Sequence, residues 1–486
     1  MPGWNAPAQR ASGERYTMSL PVDRRPLLRL LRRTFLGSIT VAAGAGVLAA
    51  CTGRPQPAAS RTGAFPARIN GKLAVIQNKD FHPDHNDFVN KKIAEVAQAE
   101  GWPLDLAYVD GYVGAGNIVQ KLHAAVQAGT PPDVMTHTLR PLQLDFLNIL
   151  QPVSDVVADL TRKYGEPIPG FKTNNFLKGR WTAVPFFTRA GGYYARRDVF
   201  QRHGIDPNRE LDTYEKVRMA CLAVSDPDAG MWGWGMTVNR CGDGESLVSN
   251  VVFMWGGQLV DESGEKVVLN SRETIEALTW LKEIYTDKKW ERMLPPGVNS
   301  WTDPSNNEAY LAGQIALTQN AGTLYAKALF DKNPVGQHTV YLPNPAGPKR
   351  RLQGAYGANW YVFNGAKNAD AARELIKRLL SEPVQEFIFQ TSVGYAMPAY
   401  QWGWDRPIIK NDPVASRYVE TAWDQSGFTG VFWPGPPTPA ANAIDTSNFW
   451  TDLMGDILNG TRVDEAVRAA HERAVKVYRE FGFRGA

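Results

Sequence analysis

GKLAVIQNKDFHPDHNDFVNKKIAEVAQAEGWPLDLAYVD, Gly71 to Asp110, sets the architecture of this chain. Gly71–Asn78 is a short apolar run that reads as a strand, Phe88–Glu100 carries a helical pattern, and Leu104–Val109 reads as the next strand. Downstream, Asn117–Ala128 is amphipathic, with Ile118, Leu122, Ala125 and Val126 on one side, and PPDVMTH leads through a proline-broken loop into a third strand. Strand, helix, strand, helix, strand at this spacing is a parallel α/β layer, whose ligand loops lie at the carboxyl ends of the strands. Here those loops are Lys79–His85, Asp110–Ala115 and Thr136–Arg140.

The stretch before this layer speaks for export. Arg32 and Arg33 precede a mostly apolar run, Phe35–Ala50, which has the length of an export signal and is too short to span a bilayer. The twin arginine followed by Thr34, Phe35 and Leu36 resembles the twin-arginine motif, with Leu31 where that motif usually has Ser or Thr. Leu48–Cys51 resembles a lipobox, in which Cys51 is lipidated and becomes the first mature residue. Residues 1–50 are therefore expected to be a signal peptide and 51–67 a Pro/Ala-rich tether too polar to pack. The chain has a formal net charge of +4, and its basic excess lies in the signal, so no nucleic-acid footprint remains in the body. Cys221 and Cys241 are the other cysteines; in an oxidising compartment they are expected to form one disulfide, and no cysteine pattern points to zinc.

A second unit begins near Arg180. GGYYARRDVFQRHGIDP (191–207), WGGQLVDESGEKVVLNSRETIEALTWLKEI (255–284), EAYLAGQIALTQNAG (308–322) and WYVFNGAKNADAARELIKRLLSEPVQEFIFQTSVGYAMPAY (360–400) together resemble the extracellular solute-binding proteins of bacterial ABC importers, family 1, carbohydrate type. The resemblance covers nearly the whole body from Arg68 to Tyr478. It implies a periplasmic-binding-protein-like α/β fold: two lobes joined by a hinge, a ligand cleft between them, and C-terminal helices mostly on the second lobe. By analogy the crossovers fall near residues 180 and 345, giving lobe 1 as 68–180 and 345–395, and lobe 2 as 181–344 and 396–486. The implied function is high-affinity extracytoplasmic binding of a sugar or oligosaccharide and its delivery to ABC permease subunits. The protein would be a monomer anchored to the membrane through Cys51, with no catalysis, cofactor or nucleic-acid partner. A glycerol phosphodiester or other polar organic anion is the alternative ligand, and a secreted glycoside-active enzyme using Asp80, Asp110 and Asp303 is the competing class.

A sugar offers hydroxyl groups and apolar C–H faces, so its cleft requires aromatic platforms and bidentate polar groups. The platform candidates are Trp360, the pairs Trp232/Trp234 and Trp402/Trp404, and Trp433. The polar candidates at strand ends are Asp80, Asp110 and Asn320, with His137 and Arg140 on the third loop. His82 shares the first loop with Asp80, Asp84 and His85, a cluster that matches no metal-ligand spacing and is read as a solvated or sugar-facing loop. Tyr193 and Tyr194 face opposite sides if they lie in a strand, and Tyr194 is a cleft candidate. Arg140, Arg189 and Lys79 are the basic groups on which an anionic ligand would depend.

Overall fold

The computed structural model describes residues 68–80, 82–110, 115–426, 428 and 430–486; the expected signal, the tether, Cys51 and the side chain of Asp110 lie outside what is described. The opening layer is β1 (Leu73–Lys79), α1 (Pro83–Ala99), β2 (Leu104–Asp110), α2 (Ala115–Gln127) and β3 (Val134–His137). β1 pairs in parallel with β2 on one side and β3 on the other. α1 begins five residues before the periodic segment expected from Phe88, because Pro83 in the first turn presets the backbone and Asp84 complements the helix N-terminus.

The remaining strands are β4 (Phe176–Leu177), β5 (Arg180–Trp181), β6 (Val184–Thr188), β7 (Gly192–Arg196), β8 (Trp232–Trp234), β9 (Ile315–Asn320), β10 (Thr339–Leu342), β11 (Gly357–Val362) and β12 (Met397–Pro398). Two principal sheets result: six strands in the order β12-β6-β11-β3-β1-β2, and four in the order β10-β7-β9-β8. The chain leaves the first sheet after β6, crosses at 189–191 into β7, and returns between β10 and β11. The outward crossing lies later than the expected position near 180 because VPFFT, buried along its whole length, is itself a strand of the first sheet and the chain departs only after it.

The helices that matter for the cleft are α3 (Tyr214–Ala223), α4 (Gly242–Trp255), α5 (Asp303–Leu311), α6 (Thr323–Phe330), α7 (Ala369–Leu379), α8 (Glu382–Ser392), α9 (Ala415–Ala422), α10 (Pro439–Asp445), α11 (Phe449–Leu458) and α12 (Val463–Glu480). α10 to α12 bury Ala440, Ile444, Leu453, Ala470 and Tyr478 in one core with Tyr193 and Leu317 of the second sheet. The segment after β12 behaves differently: Trp404, Ile409 and Tyr418 pack into the core that also holds Val75, Val184 and Trp360 of the first sheet. The helices after residue 396 are thus shared between the two cores, and those from 439 onward pack with the second. Apolar area removed from water, at about 25 cal/mol per Å2, is the main stabilising term in both.

Candidate ligand cleft between the sheets

Between the sheets lies a cavity of about 460 Å3, lined from the first sheet's side by Asp80, Arg140, Asn174 and Tyr356, and from the second's by Asp243, Glu245, Asp303, Asn307, Gln319 and Asn320. Arg189, Gly191 and Gly192 at the outward crossing line its floor.

Asp80 follows the carboxyl end of β1. Its backbone N–H donates to Asn86 Oδ1 at 3.0 Å, and Asn86 Nδ2 donates to its carbonyl at 3.1 Å, so α1 holds the loop in place. The Asp80 carboxylate accepts the hydroxyl of Tyr395 and, at 3.3 Å, the amide of Asn78. Arg189 faces the same group. Burial alone would lower its pKa, but Tyr395, Asp80 and Asp243 around it hold it above the ordinary guanidinium value.

Two helix N-termini build the opposite wall. Asp303 in the first turn of α5 accepts the backbone N–H of Asp243 at 2.9 Å, and Asp243 accepts Asn306 Nδ2 at 2.7 Å. Burial and the neighbouring Asp303 carboxylate push the Asp243 carboxyl up to about 8, against the opposing influence of Asn306 and Arg189. Glu245 caps α11, accepting Thr451 N and Oγ1 at 2.7 Å each, and burial raises it to about 7. At the end of β9, Asn320 donates to Asn307 Oδ1 at 3.2 Å and accepts Thr323 Oγ1 at 2.9 Å. Arg140 pairs with Asp445 at 2.9 Å and lies over the rings of Phe432 and Tyr356.

Of the residues singled out in the sequence, Asp80, Arg140, Arg189, Asp303 and Asn320 meet in this cavity. The strand-end rule found Asp80, Arg140 and Asn320. Asp110 ends β2, which forms the sheet edge. His82 is fully buried 3.6 Å from Asp84 and beside the ring of Phe330, with its pKa lowered by burial, and it does not line the cavity. His137 is buried and accepts Leu139 N at 2.9 Å. Tyr194 is also buried, on the opposite face of β7 from Tyr193, and its hydroxyl donates to Ala190 O at 2.5 Å.

The aromatic platforms need correction. Trp360 is fully buried against Phe186, because β11 is an interior strand of a sheet covered on both faces. Trp234 is a core residue and its partner Trp232 is half-buried on the edge strand β8. Trp402 packs on Tyr164, Trp404 is buried on Tyr418, and Trp433 lies beneath the guanidinium of Arg350. The aromatic rings on the cavity wall are instead Tyr356, Phe428 and Trp450. No local pattern distinguishes them from core aromatics; the acid at a glycine-flanked helix start in CGDGES was the one legible sign of Asp243. The expected disulfide is also corrected: both cysteines are free. Cys221, on α3, is sealed in the core, whereas Cys241 caps α4 by accepting Gly244 N at 3.4 Å, its thiol pushed up to about 12 by burial and Asp303.

Two α/β lobes, repeated crossings of the chain between them and a polar cleft between the sheets define a hinge-type binding protein. Residues 91–386 match the family described as bacterial extracellular solute-binding protein, and the chain belongs to that family, whose members bind solutes and do not transform them. A Deinococcus radiodurans protein named as a probable ABC transporter-binding protein is 24% identical over 229 residues, covering 45% of this chain and 51% of its own length. The chain thus spans about half the length of that relative. The diacetylchitobiose binding protein NgcE of Streptomyces coelicolor is 21% identical over 401 residues, covering 74% of this chain and 77% of that one. Among solved structures, maltose-bound MalE3 of T. maritima superposes with a TM-score of 0.69 at 20% identity, covering 82% of this chain and 99% of that one.

Proposed function

We propose that this protein captures a saccharide outside the cytoplasm and hands it to the permease of an ABC importer, closing its two lobes around the ligand. The observation that carries this reading is the cleft itself: its polar groups come from both sheets, so one ligand can bridge Asp80 and Asn174 to Asp243, Asn307 and Asn320. Carboxylates and amides are the partners hydroxyl groups require, and Tyr356, Phe428 and Trp450 supply apolar surface for ring faces. A ligand that touches both lobes favours the closed form by its difference in affinity for the two states. The saccharides in the names of the Streptomyces and T. maritima relatives agree with this class. A phosphodiester fits less well, because five carboxylates line the cavity and one of its two arginines, Arg140, is engaged by Asp445.

The same reading includes export by the twin-arginine route, lipid attachment at Cys51 with residues 51–67 as the tether, and action as a monomer. Two lobes, 68–188 with 357–422 and 192–342 with 439–486, move about the crossings. Thermal-shift screening against mono- and oligosaccharides, polyols and phosphorylated glycerols tests it, since a ligand of the native state raises the melting temperature. A shift with a saccharide is expected; a shift with phosphorylated compounds alone overturns the reading.

A further inference from the structure

Two buried histidines stand together at the start of α1, their rings 6.4 Å apart, and neither lines the cavity. His85 is satisfied within the first lobe: its Nδ1 bonds Ser392 Oγ at 2.9 Å, and its ring meets Phe187 and Tyr395 edge to face. His82 is not satisfied. Its side chain has no exposed surface, yet neither Nδ1 nor Nε2 has a hydrogen-bond partner. A buried polar group left unpaired costs free energy, so the ring gains whenever water reaches it.

What covers His82 comes from the other lobe. Phe330, at the end of α6, packs edge-on to His82 at 5.7 Å and to Phe88 of α1 at 5.9 Å. Lys327, one turn earlier, reaches Asp84 of α1 at 3.5 Å and lies over the Phe330 ring. α6 follows β9 of the second sheet and α1 follows β1 of the first, so this seam joins the lobes at a second place besides Arg140 and Asp445. The cover is thin, since Phe330 is itself 45% exposed.

The charged and titratable groups facing His82 are Asp84 at 3.6 Å, Asp80 and His85 on its own side, and Lys327 and Asp331 from α6 and its end. Burial outweighs the attraction of the three carboxylates and holds the ring below its ordinary value of 6.5, so it is neutral in the seam at neutral pH. Once hydrated it takes up a proton near that ordinary value. The partners of His85 all belong to one lobe, so lobe motion leaves it buried, with burial holding it down at about 3.

We infer that His82 makes lobe closure pH-sensitive: in acid its protonation parts α1 from α6 and shifts the unliganded protein toward the open form. Acid favours the state in which the ring binds a proton more tightly, and that is the hydrated one. At pH 5.0 the ratio of open to closed rises by as much as about thirtyfold over its value at pH 7.5, the limit for a ring that titrates normally when open and stays neutral when closed. Asp243, on the cavity wall, moves the other way, because burial favours its protonated form. This rests on the hinged two-lobe reading of the protein and not on which saccharide it binds.

Small-angle scattering of the unliganded full chain at pH 7.5 and 5.0 tests it, beside His82→Phe and His82→Gln, with the melting temperature of each at both pH values as the control for folding. The parent's radius of gyration should grow at pH 5.0, and the growth should disappear in both variants. A parent radius that does not grow, or growth that persists in either folded variant, overturns the switch. The saccharide screen at pH 7.5 stands apart from this: a saccharide that raises the melting temperature while the radius ignores pH removes the switch and leaves the binding reading in place.

Discussion

Arg140, on the loop after β3 of the first sheet, and Asp445, at the end of α10 on the second core, are joined by an ion pair of 2.9 Å on the cavity wall. The pair connects the two lobes directly, so its loss should favour the open form. Both side chains are partly exposed, at 22% and 34%, which caps the coupling at about 1 kcal/mol in a double-mutant cycle and makes it fall with salt. Small-angle scattering of the unliganded Arg140→Ala variant is expected to give a larger radius of gyration than the parent; an unchanged radius would mean the pair does not hold the lobes together.

The stability of the protein should fall as the solution becomes more alkaline. Burial and Asp303 raise the folded-state pKa of Asp243 from 3.8 to about 8, and burial raises Glu245 to about 7. Between the unfolded and folded values the native state holds more protons than the unfolded chain, so unfolding becomes easier as pH rises through that window. Melting temperatures measured from pH 7 to pH 8.5, above the range in which the buried His82 and His85 oppose the trend, should therefore decline, and Asp243→Asn should flatten the slope.

Trp360 and Trp450 should respond in opposite ways. Trp360→Ala empties a fully buried site between strands and should cost about 3–5 kcal/mol of stability by chemical denaturation. Trp450→Phe keeps most of the ring and removes an N–H that has no protein partner, so stability should hold within about 1 kcal/mol.

Gly322 is a position where only glycine fits. Its φ is +83°, and a Cβ there would meet Gly394 O at 2.0 Å and Tyr194 Oη at 2.9 Å. The left-handed conformation alone costs a side-chain-bearing residue about 1–2 kcal/mol, and the backbone of Gly394 cannot yield as a flexible side chain would. Gly322→Ala should lower the melting temperature more than Gly455→Ala, where nothing lies within 4 Å.

Both thiols should be accounted for chemically. Alkylation of the native chain without reductant should leave Cys221 unmodified, because it is fully buried, and alkylation after denaturation should label Cys221 and Cys241 alike. A mass matching a bridge between them would contradict the free thiols.

The first layer of the fold was legible because β1, α1, β2, α2 and β3 each carry their own period, and the strand-end rule then led to Asp80, Arg140 and Asn320. The tryptophans were misread for the same reason that the sheets are stable. With both faces covered, alternation along β8 or β11 gives no exposed side, and the aromatic content goes into the cores. Asp303 was named only as one of several loop acids, and Asp243 and Trp450 were not named; the three belong to helix N-termini that begin at Gly242, Asp303 and Phe449, and only tertiary packing gathers them. The shared allegiance of the helices after β12 is equally invisible to periodicity, since an amphipathic face does not name the surface it will cover.

The strand order of the first sheet also constrains how the molecule can be made. β3, complete at residue 137, has β11 as its neighbour, and β6, complete at 188, has β12, so these edges wait for residues 357–362 and 397–398 to leave the ribosome. Through most of translation the nascent chain displays unpaired strand edges, which invite wrong partners and slow the search for the right ones. Closure of the first sheet is therefore expected late in synthesis, after residues 357–362 and 397–398 have emerged.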